Sequence, residues 1–497
     1  MEHKDMPEIW SIALTRDGLG ACALGLDMTR RDYTARWPMM RVDRMWAVDT
    51  GVLRRIVAES LMALYAQLPK DEQPLAITIC APNAETACFL DNTGTPLSAI
   101  YLDKPPVMPR REIPERYAEA PAAAYAYRNS VLRCIQQMRP EFCMENPPGI
   151  ASIGAIVAQA LTGHLSDVCL PRGIPESYPD MDDDVTTATG LCPDSCFERI
   201  RCGVPFARIS PEIAQNLNAP DFAALGNLAG VPVFNMGSSD SARAYASASD
   251  PLSWSVTVGT DLRAQWTAGI GALTGYEIQI VDSNTPKPES SEEISKTRDE
   301  WTREIYAALP IRPYPGPGKN LSGYGLHSVP VHTPIVSQLL ASCSLCEGIV
   351  PFETLSTVPV GSNGLHIIPR NDDIQIIGLT SAHEPIHVAR ALFEGFIYTL
   401  RDWQNALESP GPVRIVIDKP WPAQCAQWIA DILARPVFSL DEPAEILAAM
   451  GAALCLVRDL DLPVNGKPSL SANIIEPQPR AAAYQPHYDI HCALKSS

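Results

Sequence analysis

Residues 230–260 read GVPVFNMGSSDSARAYASASDPLSWSVTVGT. An apolar run opens the stretch, a turn of small residues carrying Asp240 follows, and helix-compatible residues lead to a second apolar run ending in Gly259-Thr260. The order predicted is strand, turn, helix, strand. It puts a carboxylate and a glycine turn at the ends of neighbouring strands, where phosphoryl transfer needs a proton acceptor and a phosphate cradle.

Outward from this segment, strands come first and helices return between them. Residues 9–28, IWSIALTRDGLGACALGLDM, predict two short strands around Asp17-Gly18, a dipeptide that favours a tight hairpin turn. Helical spacing over 52–68 precedes the strand LAITICA at 75–81 and a strand, turn and strand over 87–103. A further helix is expected to end near Gly163. Pro-rich 171–180 then leads to Asp182, Asp183 and Asp184, read as a solvated loop in preference to a metal site. Residues 284–320, rich in Pro, Ser, Glu and Lys, are expected to form a surface excursion of low order. Beyond 380, Ser381 and Glu384 have the spacing of a capping box, and Ile386, Ala389, Phe393, Phe396 and Leu400 recur at helical intervals. A strand at 413–417, a helix at 422–433 and a helix at 443–457 complete the series. The last contains Gly451-Ala452-Ala453, small residues that let a helix pack closely against a neighbour or a ligand. No short internal repeat is visible, and the class is α/β with a mixed sheet.

A chain of 497 residues is long for one domain, so two domains of roughly 250 residues are expected. Hydrophobic residues make up 46% and charged residues 19%, without an apolar run of the ~18 residues that a membrane span requires. The N-terminal MEHKDMPEIW is charged and lacks the apolar core of a signal peptide, which gives a cytoplasmic location and no membrane partner as the expectation. A net charge of −18 argues against a nucleic-acid surface, where a basic patch is needed. The 14 cysteines, with a CxxC at Cys343 and Cys346 and a loose group at Cys192, Cys196 and Cys202, read as reduced, mostly buried thiols, since the paired CxxC spacing of a zinc site is missing.

Several segments together resemble the FGGY carbohydrate kinases, most nearly those acting on gluconate and xylulose. They are FLDNTGTPLSAIYLDKP (89–105), LTGHLSD (161–167), TTATGL (186–191), GVPVFNMGSSDSA (230–242), VTVGT (256–260), GSNGLHIIP (361–369), ARALFEGF (389–396), QWIAD (427–431) and MGAAL (450–454). They stand in family order over most of the chain, excluding roughly 284–345. Each is weak alone; in register they carry the resemblance.

The resemblance implies two ribonuclease-H-like domains of the actin, Hsp70 and sugar-kinase type with an interdomain cleft. It implies a sugar-binding domain over 1–244 and a nucleotide-binding domain over 245–497 that contains a divergent excursion at 284–345. It also implies ATP and Mg²⁺ as cofactors, a small sugar or sugar acid as substrate, and a homodimer as a possible assembly. Asp240 takes the place of the general base, and Tyr101, Asp103 and Asn83 that of the substrate contacts. Gly259, Thr260, Arg16, Asp418 and Gly451 fall where the nucleotide is held, and Asp17 where the metal is organised. A carboxylate at position 240 is chemically apt, because a sugar hydroxyl has a pKa far above 7 and attacks better when its proton is accepted. The structural alternative for Asp240 is a helix cap.

Two loops depart from the family pattern. Where the first hairpin carries Asp-x-Gly-Thr, this chain has Ala13, Leu14, Thr15 and Arg16, and Asp17-Gly18 serves only after a shift. Where the nucleotide lobe has Gly-Gly, this chain has Ile417 and Asp418, whose bulk and charge oppose a phosphate unless Lys419 compensates or Trp421 stacks on the base. The function expected is ATP-dependent phosphorylation of a gluconate-like or pentulose-like hydroxyl. The alternative is a catalytically impaired pseudokinase acting as a sugar sensor or partner subunit.

Overall fold

The computed structural model describes residues 7–42, 45–68, 72–82, 86–91, 93–102, 149–165, 167–170, 199–201, 204–237, 239–247, 253–258, 262–267, 326–329, 352–369, 374–406, 413–417, 424–460, 462–465 and 470–496. The apolar run at the start forms β1 (Glu8–Leu14), which turns back through the expected hairpin into β2 (Gly18–Gly25) and then β3 (Arg30–Arg36). β2 is buried along its whole length, whereas β3 alternates toward solvent and carries Arg30, Arg31, Asp32 and Arg36, charges that protect an edge strand from pairing further. Three later strands, β4 (Ala76–Cys80), β5 (Val204–Arg208) and β6 (Pro232–Asn235), complete a six-stranded sheet in the order β5-β6-β4-β1-β2-β3. β1, β4 and β6 run parallel, and the outer pairs are antiparallel.

Helices close this sheet. α1 (Thr50–Tyr65) is capped by Asp49, whose carboxylate accepts the Val52 N–H at 2.9 Å. α2 (Ile153–Thr162) is capped by Ser152 and stops at Gly163, which adopts φ 78°, as its sequence predicted. Leu53, Val57, Leu61, Ile156, Val157 and Leu161 enter one apolar core with Trp10, Ile12, Ile77 and Ile79 from the strands.

A second sheet repeats the plan with different residues. Its strands are β7 (Ser253–Val258), β8 (Leu262–Thr267), β9 (Leu326–Val329), β10 (Val413–Ile417), β11 (Val437–Leu440) and β12 (Ala472–Ile475), in the order β9-β8-β7-β10-β11-β12. Again two antiparallel hairpin strands flank a first strand that is joined by two parallel neighbours and an antiparallel edge. The duplication is one of topology, with too little likeness in sequence to show as a repeat.

The chain divides into two compact units. The first draws its described residues from Met1–Ala246 and Glu445–Pro468, the second from Ser247–Ala272, Gly325–Ala444 and Ser469–Ser497. The helix expected at 443–457, α6 (Ala444–Asp459), therefore packs within the first unit although it follows β11 in the chain. Glycine allows it. A Cβ on Gly20 of β2 would stand 2.4 Å from the Glu445 carbonyl oxygen, so only a bare backbone admits the start of α6 here.

In the second unit the 22-residue α4 (Pro385–Ala406) spans about 33 Å and is the spine of the core. Its cap differs from the sequence expectation. Ser381 is not engaged as the cap; Pro385 takes the first helical position, and the His387 Nδ1 accepts the Glu384 N–H at 3.1 Å. α5 (Cys425–Leu433) and α7 (Gln485–Ser496) lie against α4. Arg390 and Glu394 of α4 are 3% and 2% exposed and form an ion pair at 2.6 Å. The guanidinium also stacks 3.7 Å from the Trp428 ring centroid and donates to the Tyr484 hydroxyl, and Glu394 accepts the Gly361 N–H. Burial pushes the Glu394 carboxyl upward while Arg390 opposes the rise.

Of the cysteines in the described residues, Cys22, Cys80, Cys88, Cys425 and Cys455 are buried thiols and Cys492 is half-buried. The CxxC, the cysteine group at 192–202, the acidic run at 182–184 and the 284–320 segment lie outside the described residues. Among the described residues, no helix is long and apolar enough to cross a membrane.

Candidate active site

The carboxyl ends of the parallel strands β1, β4 and β6 lie side by side, with Ala13 opposite Cys80 and Asn235 opposite Ile79. In open α/β sheets this edge is where ligands bind, because loops and helix N-termini converge there. Arg16 and Asp17 follow β1 at this edge, and the turn leading to Asp240 follows β6.

The first of these turns is closed from within. The Thr15 N–H donates to the Gly18 carbonyl at 2.8 Å, and the Thr15 hydroxyl both accepts the Gly18 N–H at 3.1 Å and lies 3.0 Å from its oxygen. Trp37, just beyond β3, donates its indole N–H to the Thr15 carbonyl and its backbone N–H to that of Asp17, at 3.0 and 3.1 Å. Arg16 and Asp17 are half-buried, and neither has a positive φ. The hairpin is therefore not of the type that requires left-handed central residues. Gly18 serves a different end from the one its sequence suggested: a Cβ there would lie 2.2 Å from the Ala35 carbonyl oxygen, so the glycine admits β3.

After β6 the chain passes through Met236 and Gly237 into α3 (Ser239–Ser247), with Asp240 as the second helical residue. The helix thus starts before Asp240, and the cap position precedes this residue. A carboxylate in the first turn of a helix is favoured in its ionised form by the partial positive charge of the helix N-terminus. An ionised carboxylate is the form that can accept a proton.

α6 crosses α3 just behind this turn. A Cβ on Gly451 would come within 1.8 Å of the Ala242 carbonyl oxygen and 3.2 Å of the Ala246 Cβ. Of the two partners its sequence allowed, a neighbour or a ligand, the glycine's open face meets the neighbour helix. The Cys80 thiol lies 3.7 Å from the Ala448 carbonyl and extends the contact to the end of β4.

Tyr101 stands in a two-residue strand, Ile100–Tyr101, and is 1% exposed, with its backbone bonded both ways to Ala87. Asn83, Asp103, Gly259, Thr260 and Asp418 lie outside the described residues, as does the side chain of Asp240. In chain order Gly259 and Thr260 fall between β7 and β8, and Asp418 directly after β10. Among the described residues, no three His, Cys, Asp or Glu side chains are grouped to hold a metal ion.

Two residues of the site escaped the sequence reading. Trp37 could not be linked to the first hairpin, because its register across β3 is a tertiary fact. Asn235 had a legible signal, an Asn two residues before a Gly, which is the pattern of an Asx turn.

Among solved structures, the chain is similar over nearly its whole length to a xylulose kinase from Rhodospirillum rubrum, at 16% identity over 98% of both chains with a TM-score of 0.59. A gluconate kinase from Lactobacillus acidophilus aligns at 14% identity over 99% of this chain and 98% of that one, with a TM-score of 0.58. A glycerol kinase from Plasmodium falciparum, solved with ADP, aligns at 15% identity over 99% and 98%, with a TM-score of 0.55. No family model and no curated protein sequence matches the chain. Identities this low establish the fold, which is the two-domain, ribonuclease-H-like α/β fold of these sugar kinases.

Proposed function

We propose that the chain is an ATP-dependent carbohydrate kinase that phosphorylates a hydroxyl of a small sugar or sugar acid of the gluconate or pentulose kind. The observation that carries the reading is the position of Asp240, in the first turn of α3 at the carboxyl edge of β1, β4 and β6. There it accepts the proton of the attacking hydroxyl as the oxygen forms its bond to phosphorus. ATP, when bound, supplies the phosphoryl group. Arg16 has the charge to meet a phosphate and Asp17 that to meet Mg²⁺, and both follow β1 at the same edge. Gly259 and Thr260, which follow β7 in the chain, are the residues for further phosphate contacts, and Asp418, which follows β10, is the one for the nucleotide side; Gly451, closed by α3, drops out of that set. Asp103 and Asn83 complete the sugar contacts, while Tyr101, at 1% exposure, is enclosed by the protein and drops out of that set.

A second reading, a sugar-binding protein without kinase activity, is favoured by one observation. The β1–β2 turn closes on itself: the Thr15 N–H donates to the Gly18 carbonyl and the Gly18 N–H to the Thr15 hydroxyl, donors that a phosphate cradle would leave open.

Calorimetric titration with Mg²⁺ and a nonhydrolysable ATP analogue, followed by a panel of sugars and sugar acids with Asp240→Asn as control, separates the two. Nucleotide binding with sugar-dependent ADP release that the control lacks supports the kinase. Sugar binding without nucleotide binding supports the sensor.

A further inference from the structure

Asn235, the last residue of β6, is 1% exposed, and its Oδ1 accepts the Gly237 N–H at 2.9 Å. Gly237 has φ 76°, a conformation that favours glycine and that a chain leaving a strand does not adopt without cause. On either side the main chain is tied to β4: Met236 N–H donates to the Ile79 carbonyl at 2.7 Å, Ala81 N–H to that of Gly237 at 2.9 Å, and Ser239 N–H to that of Ala81 at 3.4 Å. Between these anchors the N–H of Gly237 is held by a side chain, that of Asn235. A serine or aspartate could also accept this bond, but an aspartate would add a negative charge five residues from Asp240. The neutral carboxamide closes the turn without it.

We propose that Asn235 is the positioning residue of this site: its carboxamide sets the left-handed turn at Gly237 and, through it, the place of Asp240. The inference rests on the reading of Asp240 as the base. Removing the acceptor frees the Gly237 N–H to seek water or a new partner, and the chain leaving β6 toward α3 loses the turn that fixes its direction at Gly237. A displacement of about 1 Å at a reacting group costs on the order of 100-fold in rate, whereas nucleotide binding on other loops is untouched.

The test uses the full chain with Asn235→Ala and, as the conservative variant, Asn235→Ser, whose hydroxyl can accept the same N–H. Hydrogen exchange of the peptide covering 232–244 is measured with kcat and KM on the best substrate of the panel. The expected result for Asn235→Ala is faster exchange in that peptide, kcat lower by about 10- to 100-fold, and KM for MgATP within about twofold of the natural chain. Asn235→Ser recovers most of both losses. Unchanged exchange in Asn235→Ala overturns the proposal, as does faster exchange with full kcat, or a loss of kcat that Asn235→Ser shares in full. If the natural chain phosphorylates nothing, the kinase reading fails on its own, and the exchange data alone decide whether Asn235 holds the turn.

Discussion

Replacing Gly451 by alanine tests the closeness with which α6 crosses α3. The added methyl would stand 1.8 Å from the Ala242 carbonyl oxygen and 2.5 Å from its carbon. Carbon and oxygen ordinarily approach to about 3.3 Å, so one helix must withdraw by about 1.5 Å. The obstacle is backbone, and no side chain can swing aside to absorb the methyl. Overpacking of this kind costs about 1–3 kcal/mol. Alanine returns about 1 kcal/mol through its better helix propensity. With a contact this short the upper end of the cost applies, and the net loss is about 2 kcal/mol. For a unit of this size that lowers the melting temperature by about 4–8 °C in scanning calorimetry. Gly226→Ala is the matched control, since its methyl would meet the Pro211 carbonyl oxygen at 3.5 Å, an ordinary contact. Because α3 carries Asp240, the Gly451 variant should also lose the proposed sugar-phosphorylating activity below its melting point. A Gly451→Ala protein that melts at or above the natural one would refute the crossing.

Other perturbations address the second unit and α1. His491 on α7 is 1% exposed, and burial first and the Lys495 cation second push its imidazole down to about 4. The unfolded chain titrates near 6.5, so the native state keeps the ring neutral. Stability from this group is complete above pH 6.5 and falls by on the order of 3 kcal/mol as the pH drops to 4. Urea unfolding across that window should show the slope, and His491→Gln should flatten it; a native curve that is flat between pH 6.5 and 4 would show that the ring is not buried neutral. Glu394→Gln leaves Arg390 uncompensated beside Trp428 and should cost about 3–5 kcal/mol, whereas the double variant Arg390→Met with Glu394→Leu should cost much less. Equal losses in the two proteins would mean that packing, not charge, sets the penalty. Arg54 on α1 has its Nε enclosed without a hydrogen-bond partner and a single contact of 3.4 Å to the Gln159 Oε1, and burial lowers its pKa. Arg54→Met should therefore melt at or above the natural protein; a fall of several degrees would show that the guanidinium is better satisfied than its contacts indicate.

Local chemistry made the single elements legible. The stop at Gly163, the pairing of the first two strands and the apolar stripe of α4 each follow from neighbours within a few residues, although the hairpin turns on Arg16-Asp17 where Asp17-Gly18 was expected. The start of α4 misled because Ser381 and Glu384 have the spacing of a cap, while Pro385 and His387 fix the helix entrance three residues later. Register between distant strands is a different matter: β6 pairs with β4, and β4 with β1, across intervals that no periodicity encodes. The same limit hid the second sheet's likeness to the first: Trp10-Ser11-Ile12 in β1 and Trp254-Ser255-Val256 in β7 stand at equivalent ladder places, but a likeness of so few residues does not show as a repeat. At the candidate site the order strand, turn, helix was legible, but the helix takes in Asp240 as its second residue where the sequence placed it in the turn. The reasons for Gly18 and Gly451 were not, because each is dictated by a backbone arriving from elsewhere in the chain.

The place of α6 also bears on how the protein is made. A ribosome completes β1 to β6 and α1 to α3 long before it reaches Glu445, yet the helix that packs against Gly20 and the end of β4 begins only there. The first unit to emerge is thus among the last to be finished, and it must wait with apolar surface uncovered while the second unit is being synthesised. A chain cut short before that helix would leave its amino-terminal half without a lid, and a single nick after β11 would damage the unit that sequence order places farthest away.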